Sequence, residues 1–199
     1  MVSKHFHVIT GASGAGKSTL LRALGAQGFS VMPEAALAIV QELAGSDGTG
    51  LPDIDLQAFM NQVVERNIMA YDAALSLPPP VFFDRGIPEC LAHMRILGLE
   101  VTPAFLAQAE ARRYAGTVFV AEPWPAIYVR DQWRRASFER AARSFEPTVA
   151  AYAQAGYATS VLPKVPVAER VAFILGQVSA ATMAAGVFMS MAAVEKARG

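Results

Sequence analysis

Charge is scarce in this sequence. Only 17% of the residues are charged against 53% hydrophobic, and equal totals of 17 for Lys+Arg and for Asp+Glu leave a formal net charge of zero. A general nucleic-acid-binding surface needs a basic excess to neutralise phosphates, so that class is excluded. The single cysteine, Cys90, cannot form an internal disulfide, and no Cys/His cluster suggests a structural metal. His5, His7 and His93 are scattered and read as ordinary residues. Repeats, low-complexity tracts and linker-like stretches are missing too, so the 199 residues read as one domain with a sizeable core and a small lid. The N-terminus runs straight into a strand-like segment with no room for a signal peptide, and a cytoplasmic location is expected.

Charge is wholly absent from Val178–Val194, which approaches the length of a membrane span. The stretch is rich in Ala, Ser and Gly, however, and poor in large apolar side chains. Met183, Val187, Phe188 and Met191 recur at helical spacing, as a packing stripe would, so no membrane is expected. The reading divides the chain into a domain at 1–178 and a helical tail at 179–199, with a homodimer through that tail as one use for it.

Strand-like and helix-like patterns alternate. Phe6–Thr10, Phe29–Met32, Val81–Phe83, Thr117–Ala121 and Tyr157–Leu162 read as short buried strands. Helices are expected over Lys17–Leu24, from Leu56 to Leu75, from Pro88 to Gly98, from Pro103 to about Tyr114, and after Pro166. Asn67 interrupts the apolar stripe of the second of these. The Thr102–Pro103 pair is an N-cap followed by a first-turn proline. Asp131–Ala155 is helical in pattern, with Pro147 expected to break or kink it. Such alternation implies an α/β fold of three layers, a parallel sheet with helices on both faces.

Gly11-Ala12-Ser13-Gly14-Ala15-Gly16-Lys17-Ser18 matches G-x-x-x-x-G-K-[ST] at every fixed position. Small residues let the backbone amides wrap a phosphate chain, and the helix that follows adds unsatisfied N–H groups and a partial positive end. Lys17 is expected to reach the β- and γ-phosphates, Ser18 to ligate Mg²⁺, and Thr19 to complete the nucleotide-binding set. Asp84, closing a buried strand, is the candidate second Mg²⁺ ligand, its alternative being a turn cap. Arg85 beside it suits a bidentate contact to phosphate or carboxylate, or a salt bridge with a neighbour. Glu34 follows the second strand, where a carboxylate can take a proton from an acceptor hydroxyl or simply cap a helix. Arg130, Arg134, Arg135, Arg140 and Arg143 crowd one short region. Arg130 and Arg134, one turn apart, are the candidates for a lid that closes over phosphates, the alternative for the whole cluster being an exposed basic face paired with Asp131, Glu139 and Glu146. Trp124 and Trp133 can stack a base or pack the core.

Phe6–Leu20, Val31–Ala36 with Glu34, Val81–Pro88, Pro123–Trp124 and the Tyr128–Phe138 arginine region occur in an order that resembles the AAA-type P-loop family, which includes the ribosylnicotinamide kinase domain of NadR and a GTP-binding protein implicated in ion-channel trafficking. The resemblance runs from about Phe6 to Leu175. Asp84-Arg85 also looks like the Asp-Arg pair of thymidylate and deoxynucleoside kinases, whose arginine contacts substrate, and Glu34 falls where those enzymes carry a carboxylate near the acceptor. The resemblance implies a P-loop NTPase fold with a small helical lid and an ATP- and Mg²⁺-dependent kinase acting on a small hydroxylated metabolite or nucleoside. The additional helical domain of ring-forming AAA+ motors has no counterpart here. No Asn-Lys-x-Asp guanine motif is present, which favours ATP over GTP. The alternative is a nucleotide-binding switch or slow NTPase with a protein partner.

Overall fold

The computed structural model describes residues 3–43, 53, 55–129 and 137–196, with the side chains of the last helix described to residue 183. Its strands are β1 (Phe6–Gly11), β2 (Ser30–Met32), β3 (Val81–Asp84), β4 (Thr117–Ala121) and β5 (Ala158–Val161). They form one sheet in the order β2-β3-β1-β4-β5, every pair parallel. Parallel neighbours need long crossovers, supplied by helices α1 (Lys17–Ala26), α2 (Ala35–Leu43), α3 (Leu56–Ala74), α4 (Ile87–Ile96), α5 (Pro103–Ala111), α6 (Phe138–Arg143), α7 (Phe145–Gln154) and α8 (Val167–Lys196).

The side-chain period of two sorts each strand between two cores. Ile9, Phe82 and Phe119 meet Leu20 and Leu24 of α1 and Val171 and Ile174 of α8. Val8, Phe83, Val118 and Val120 meet Tyr71 of α3 and Tyr152 of α7. Burying each such side chain contributes about 1.5–3 kcal/mol. This is the expected three-layer architecture. A further cluster joins α2, α3 and α4 through Ile39, Phe59, Val64, Leu91 and Met94, with α5 packed against it. His7 belongs to the first layer, its ring 5.7 Å from that of Phe82. Burial, then the nearby His5, pushes its pKa down to about 4, so it sits in the core neutral.

Several boundaries differ from the sequence pattern, each for a physical reason. The helix opened by Thr102, whose side chain accepts from the Phe105 amide, ends at Ala111 rather than near Tyr114. Tyr114 is instead drawn into the core, its ring 5.3 Å from Phe83 and its hydroxyl accepting the Ile87 amide. Pro147 does not break a helix. The break comes earlier, at Ser144, and Pro147 lies in the first turn of α7, where its missing N–H costs nothing. Asn67 keeps its buried place in α3 because its amide donates to Val63 O at 2.8 Å. Helix α2 has no counterpart in the sequence reading.

Helix α8 runs unbroken across position 178/179. Val171, Ile174 and Val178 are buried, but residues 179–183 are exposed, Met183 at 73%. Of the two packings open to that stripe, on the domain or on a partner subunit, Met183 does not make the first, while Val187, Phe188 and Met191 lie outside the described side chains. Among the described residues no helix is long and apolar enough to cross a membrane.

Candidate functional site

The C-terminal ends of parallel strands gather at one edge of a sheet, and in folds of this kind ligands sit there. At this edge β1 ends in the Gly-rich loop, β2 runs into Pro33-Glu34, and β3 ends in Asp84-Arg85.

The loop is shaped by two glycines in particular. Gly11 has φ +120, and a Cβ there would lie 2.1 Å from the carbonyl oxygen of Ala121 at the end of β4. Gly16, at φ +80, is the N-cap of α1, and a Cβ would meet Arg170 Nη1 at 2.9 Å. Gly11 excludes a larger residue because the clash is with backbone, whereas at Gly16 the left-handed φ is what favours glycine. The loop is thereby pressed against β4 and α8, with the first turn of α1 facing a cavity of about 430 Å³. Ser13, Gly14, Gly16, Lys17, Ser18 and Thr19 line that cavity. Gly11, Ala12 and Ala15 act from beneath: Lys17 Nζ donates to Ala12 O at 2.9 Å and Gly11 O at 3.2 Å, and Ala15 O accepts from Arg170 Nη2 at 3.3 Å.

Lys17 is only 5% exposed. Burial, followed by the neighbouring Arg85 charge, lowers its pKa to about 8 against the pull of Asp84, Glu34 and Glu89. Asp84 is also 5% exposed, and its Oδ1 has no hydrogen-bond partner. Burial raises its pKa to about 6, with Lys17 opposing. An orphaned, desolvated carboxylate oxygen is costly, and this one shares a cavity wall with Ser18 and Glu34. Among the described residues no three His, Cys, Asp or Glu side chains converge on one point. The donors that Ser18 and Asp84 offer suit a hard cation shared with phosphate oxygens rather than a cation caged by protein.

Arg85 holds the site together. Its φ of 73° is left-handed, a conformation that costs a non-glycine residue on the order of 1–3 kcal/mol. Its Nε donates to Glu34 Oε1 at 3.1 Å and its Nη1 to Glu89 Oε1 at 2.5 Å. Burial opposes the guanidinium charge, but Glu34, Glu89 and Asp84 outweigh it and keep its pKa above the ordinary value. Glu89 is buried and also accepts from Thr10 Oγ1 and from Tyr152 OH, the latter at 2.9 Å. The network thus ties β1, the β3–α4 junction and α7 to the guanidinium. On its far side Arg85 borders a second cavity of about 270 Å³, walled by α2, α3, α4 and α7 and including Phe59, Asn67, Cys90 and His93. Burial pushes the Cys90 thiol well up, so it stays protonated. Glu34 and Arg85 line both cavities.

Of the residues singled out in the sequence, Lys17, Ser18, Thr19, Glu34, Asp84 and Arg85 meet at this edge, while Arg130 and Arg134 lie outside the described residues. Trp124 lines the first cavity, with Arg170 Cζ 5.9 Å from its ring centroid. The sequence reading missed Arg170, which is 4% exposed with a partnerless buried Nε, and Glu89. The i, i+4 spacing of Arg85 and Glu89 was a usable signal for the second, whereas nothing near Arg170 marks it.

A family described as "AAA domain" matches residues 6–170. No curated protein matches the chain. Among solved structures, deoxyadenosine kinase from M. mycoides with bound dATP superimposes with a TM-score of 0.53 at 16% identity, covering 87% of this chain and 99% of that one. A structure of NadR in complex with NR gives a TM-score of 0.62 at 18% identity, covering 81% of this chain and 46% of that one. The deoxyadenosine kinase with products gives 0.60 at 12% identity, covering 88% and 99%. At such identities these likenesses speak to the fold, which is that of P-loop kinases.

Proposed function

The chain belongs to the AAA domain family, and from that membership and the geometry of the site we propose that it is an ATP- and Mg²⁺-dependent phosphotransferase acting on a small hydroxylated metabolite or nucleoside. The observation that carries this reading is the pair of cavities meeting at Glu34 and Arg85. A nucleotide switch needs the first cavity only. A kinase needs a second one, opening beside the terminal phosphate.

In this reading the loop amides and Lys17 hold the β- and γ-phosphates in the first cavity, with Trp124 and Arg170 beside the base. Ser18 and Asp84 hold Mg²⁺, which when bound neutralises charge on the phosphates. The acceptor hydroxyl lies against Glu34, which accepts its proton as the oxygen attacks phosphorus in line with the departing ADP. Arg85 bridges the two substrates and offsets the negative charge between them. Arg130 and Arg134 would close from the lid. Little covalent chemistry is asked of the protein, and rate comes from positioning and fixed charge. The similar solved structures include a deoxyadenosine kinase and NadR in complex with NR, which supports a nucleoside-like acceptor.

The test is ADP release from Mg²⁺–ATP with and without a panel of nucleosides and hydroxylated metabolites. The reading requires one compound to raise turnover sharply and to be recovered phosphorylated. Slow release indifferent to every compound, with ATP still bound, would replace it with the switch.

A further inference from the structure

The second cavity does not end the path that starts at Glu34. It adjoins an outer cavity of about 270 Å³ along Glu89, His93, Ser144 and Thr148, and the outer cavity adds Arg140 and Arg143 of α6. Both arginines are exposed, and neither forms an ion pair among the described residues. Two of the acids nearby, Glu89 and Glu139, have other partners. Glu89 is turned inward to Thr10, Arg85 and Tyr152. Glu139, one turn before Arg143, is held first by a backbone amide and the Ser137 hydroxyl, with Arg143 a lesser influence. The Ser144 and Thr148 hydroxyls donate to Ala141 O at 2.7 Å and Ser144 O at 2.8 Å, so positive character at the outer end comes from the guanidiniums. His93, whose pKa burial and then Arg85 hold below the ordinary value, adds an N–H donor.

Charge therefore changes sign along the path. At the inner end Glu34 faces one guanidinium, Glu89 stands between the two cavities, and at the outer end stand two guanidiniums that form no ion pair among the described residues. We propose that the outer cavity is an anion subsite, and that the acceptor carries a phosphate monoester or carboxylate at the end remote from its accepting hydroxyl. This rests on reading the inner cavity as the acceptor site. An anionic group is repelled by Glu34 and the donor phosphates and drawn to Arg140 and Arg143, while Glu89, on the wall common to both cavities, is offset by Arg85, so the charge pattern turns the hydroxyl toward Glu34. Like-charge contact in the reversed pose is how such a site rejects the wrong orientation.

The experiment measures affinities by calorimetry on the full chain saturated with Mg²⁺ and a non-hydrolysable ATP analogue, so that added anions do not report on the phosphate loop. Adenosine is compared with adenosine 3′-monophosphate, and panthenol with pantothenate, in the native chain and in Arg140→Ala/Arg143→Ala. The expected result is that the anionic member of at least one pair binds roughly tenfold tighter, that the double variant loses this advantage, and that raising salt erodes it, as for exposed charges. Which pair responds tells phosphate from carboxylate. No advantage in either pair, or an advantage that survives the double substitution, overturns the proposal. Substitution of two exposed arginines should leave the melting temperature in place. Stimulated ADP release by a neutral acceptor alone would sink the anion subsite and leave the kinase standing, whereas arginine-dependent anion binding without phosphoryl transfer would do the opposite.

Discussion

The two cavities that meet at Glu34 and Arg85 are built in different ways. The first takes six of its lining residues from the single run Ser13–Thr19 between one strand and one helix. The second has no local core: its wall comes from α2, α3, α4 and α7, scattered between Glu34 and Thr148. Binding phosphate demands backbone amides in a row, which a short loop supplies. Recognising an acceptor demands side chains converging from several directions, which only packing supplies. Damage should therefore travel along separate routes. Changes in the loop should act on nucleotide alone, changes in the second wall on acceptor alone, and changes at the shared residues on the reaction that joins them.

The largest effect is expected at the junction. Glu34→Gln should lower acceptor-stimulated turnover by roughly 10²–10⁴-fold, the usual reach of a general base, while a nucleotide titration changes little. Full turnover in that variant would reduce Glu34 to an anchor for Arg85. Next in size, Lys17→Ala removes two or so charge-assisted contacts worth about 1.5 kcal/mol each, or roughly 10²-fold in nucleotide affinity. Because burial already lowers the Lys17 pKa to about 8, the folded chain should melt no earlier without it. Unaltered nucleotide affinity in this variant would remove the loop from the first cavity's function.

Smaller effects sharpen the contrast. Glu89→Gln keeps a hydrogen-bond acceptor but withdraws a charge from Arg85, and should cost about 1.5–3 kcal/mol in urea unfolding. Acceptor KM should rise with nucleotide affinity unmoved, and a parallel loss of both would erase the distinction between the cavities. The smallest expected signature is in pH. Asp84, its pKa raised to about 6, must ionise to meet a cation, so Mg²⁺–nucleotide affinity should fall toward about tenfold per unit as pH drops below about 6. For folding the sign is reversed. A carboxyl with a raised folded-state pKa contributes stability that is complete below its unfolded value near 4 and is lost as pH rises through about 6. Asp84→Asn should flatten both slopes, and slopes that persist would assign them to another group.

How much of this was legible follows the same division. The loop from Gly11 to Ser18, the five strands and their alternation with helices, and the polar residues closing β2 and β3 stood in the sequence because each is a local pattern: small residues for an anion-wrapping turn, apolar runs for buried strands. Arg170, 153 positions beyond Lys17, and Tyr152, whose hydroxyl reaches Glu89, carried no such mark. Their roles arise from where α8 and α7 cross the sheet. Pro147 misled because a proline reads the same at a helix break and in a first turn, and only the packing around Ser144 distinguishes them. By itself, then, the sequence determined the α/β class and the phosphate loop, since backbone geometry and side-chain periodicity act over neighbouring residues. The tertiary structure alone decided the left-handed Arg85 held between Glu34 and Glu89, the second cavity and its basic outer end, because burial and charge pairing depend on residues that the chain brings together only when the sheet and its helices close.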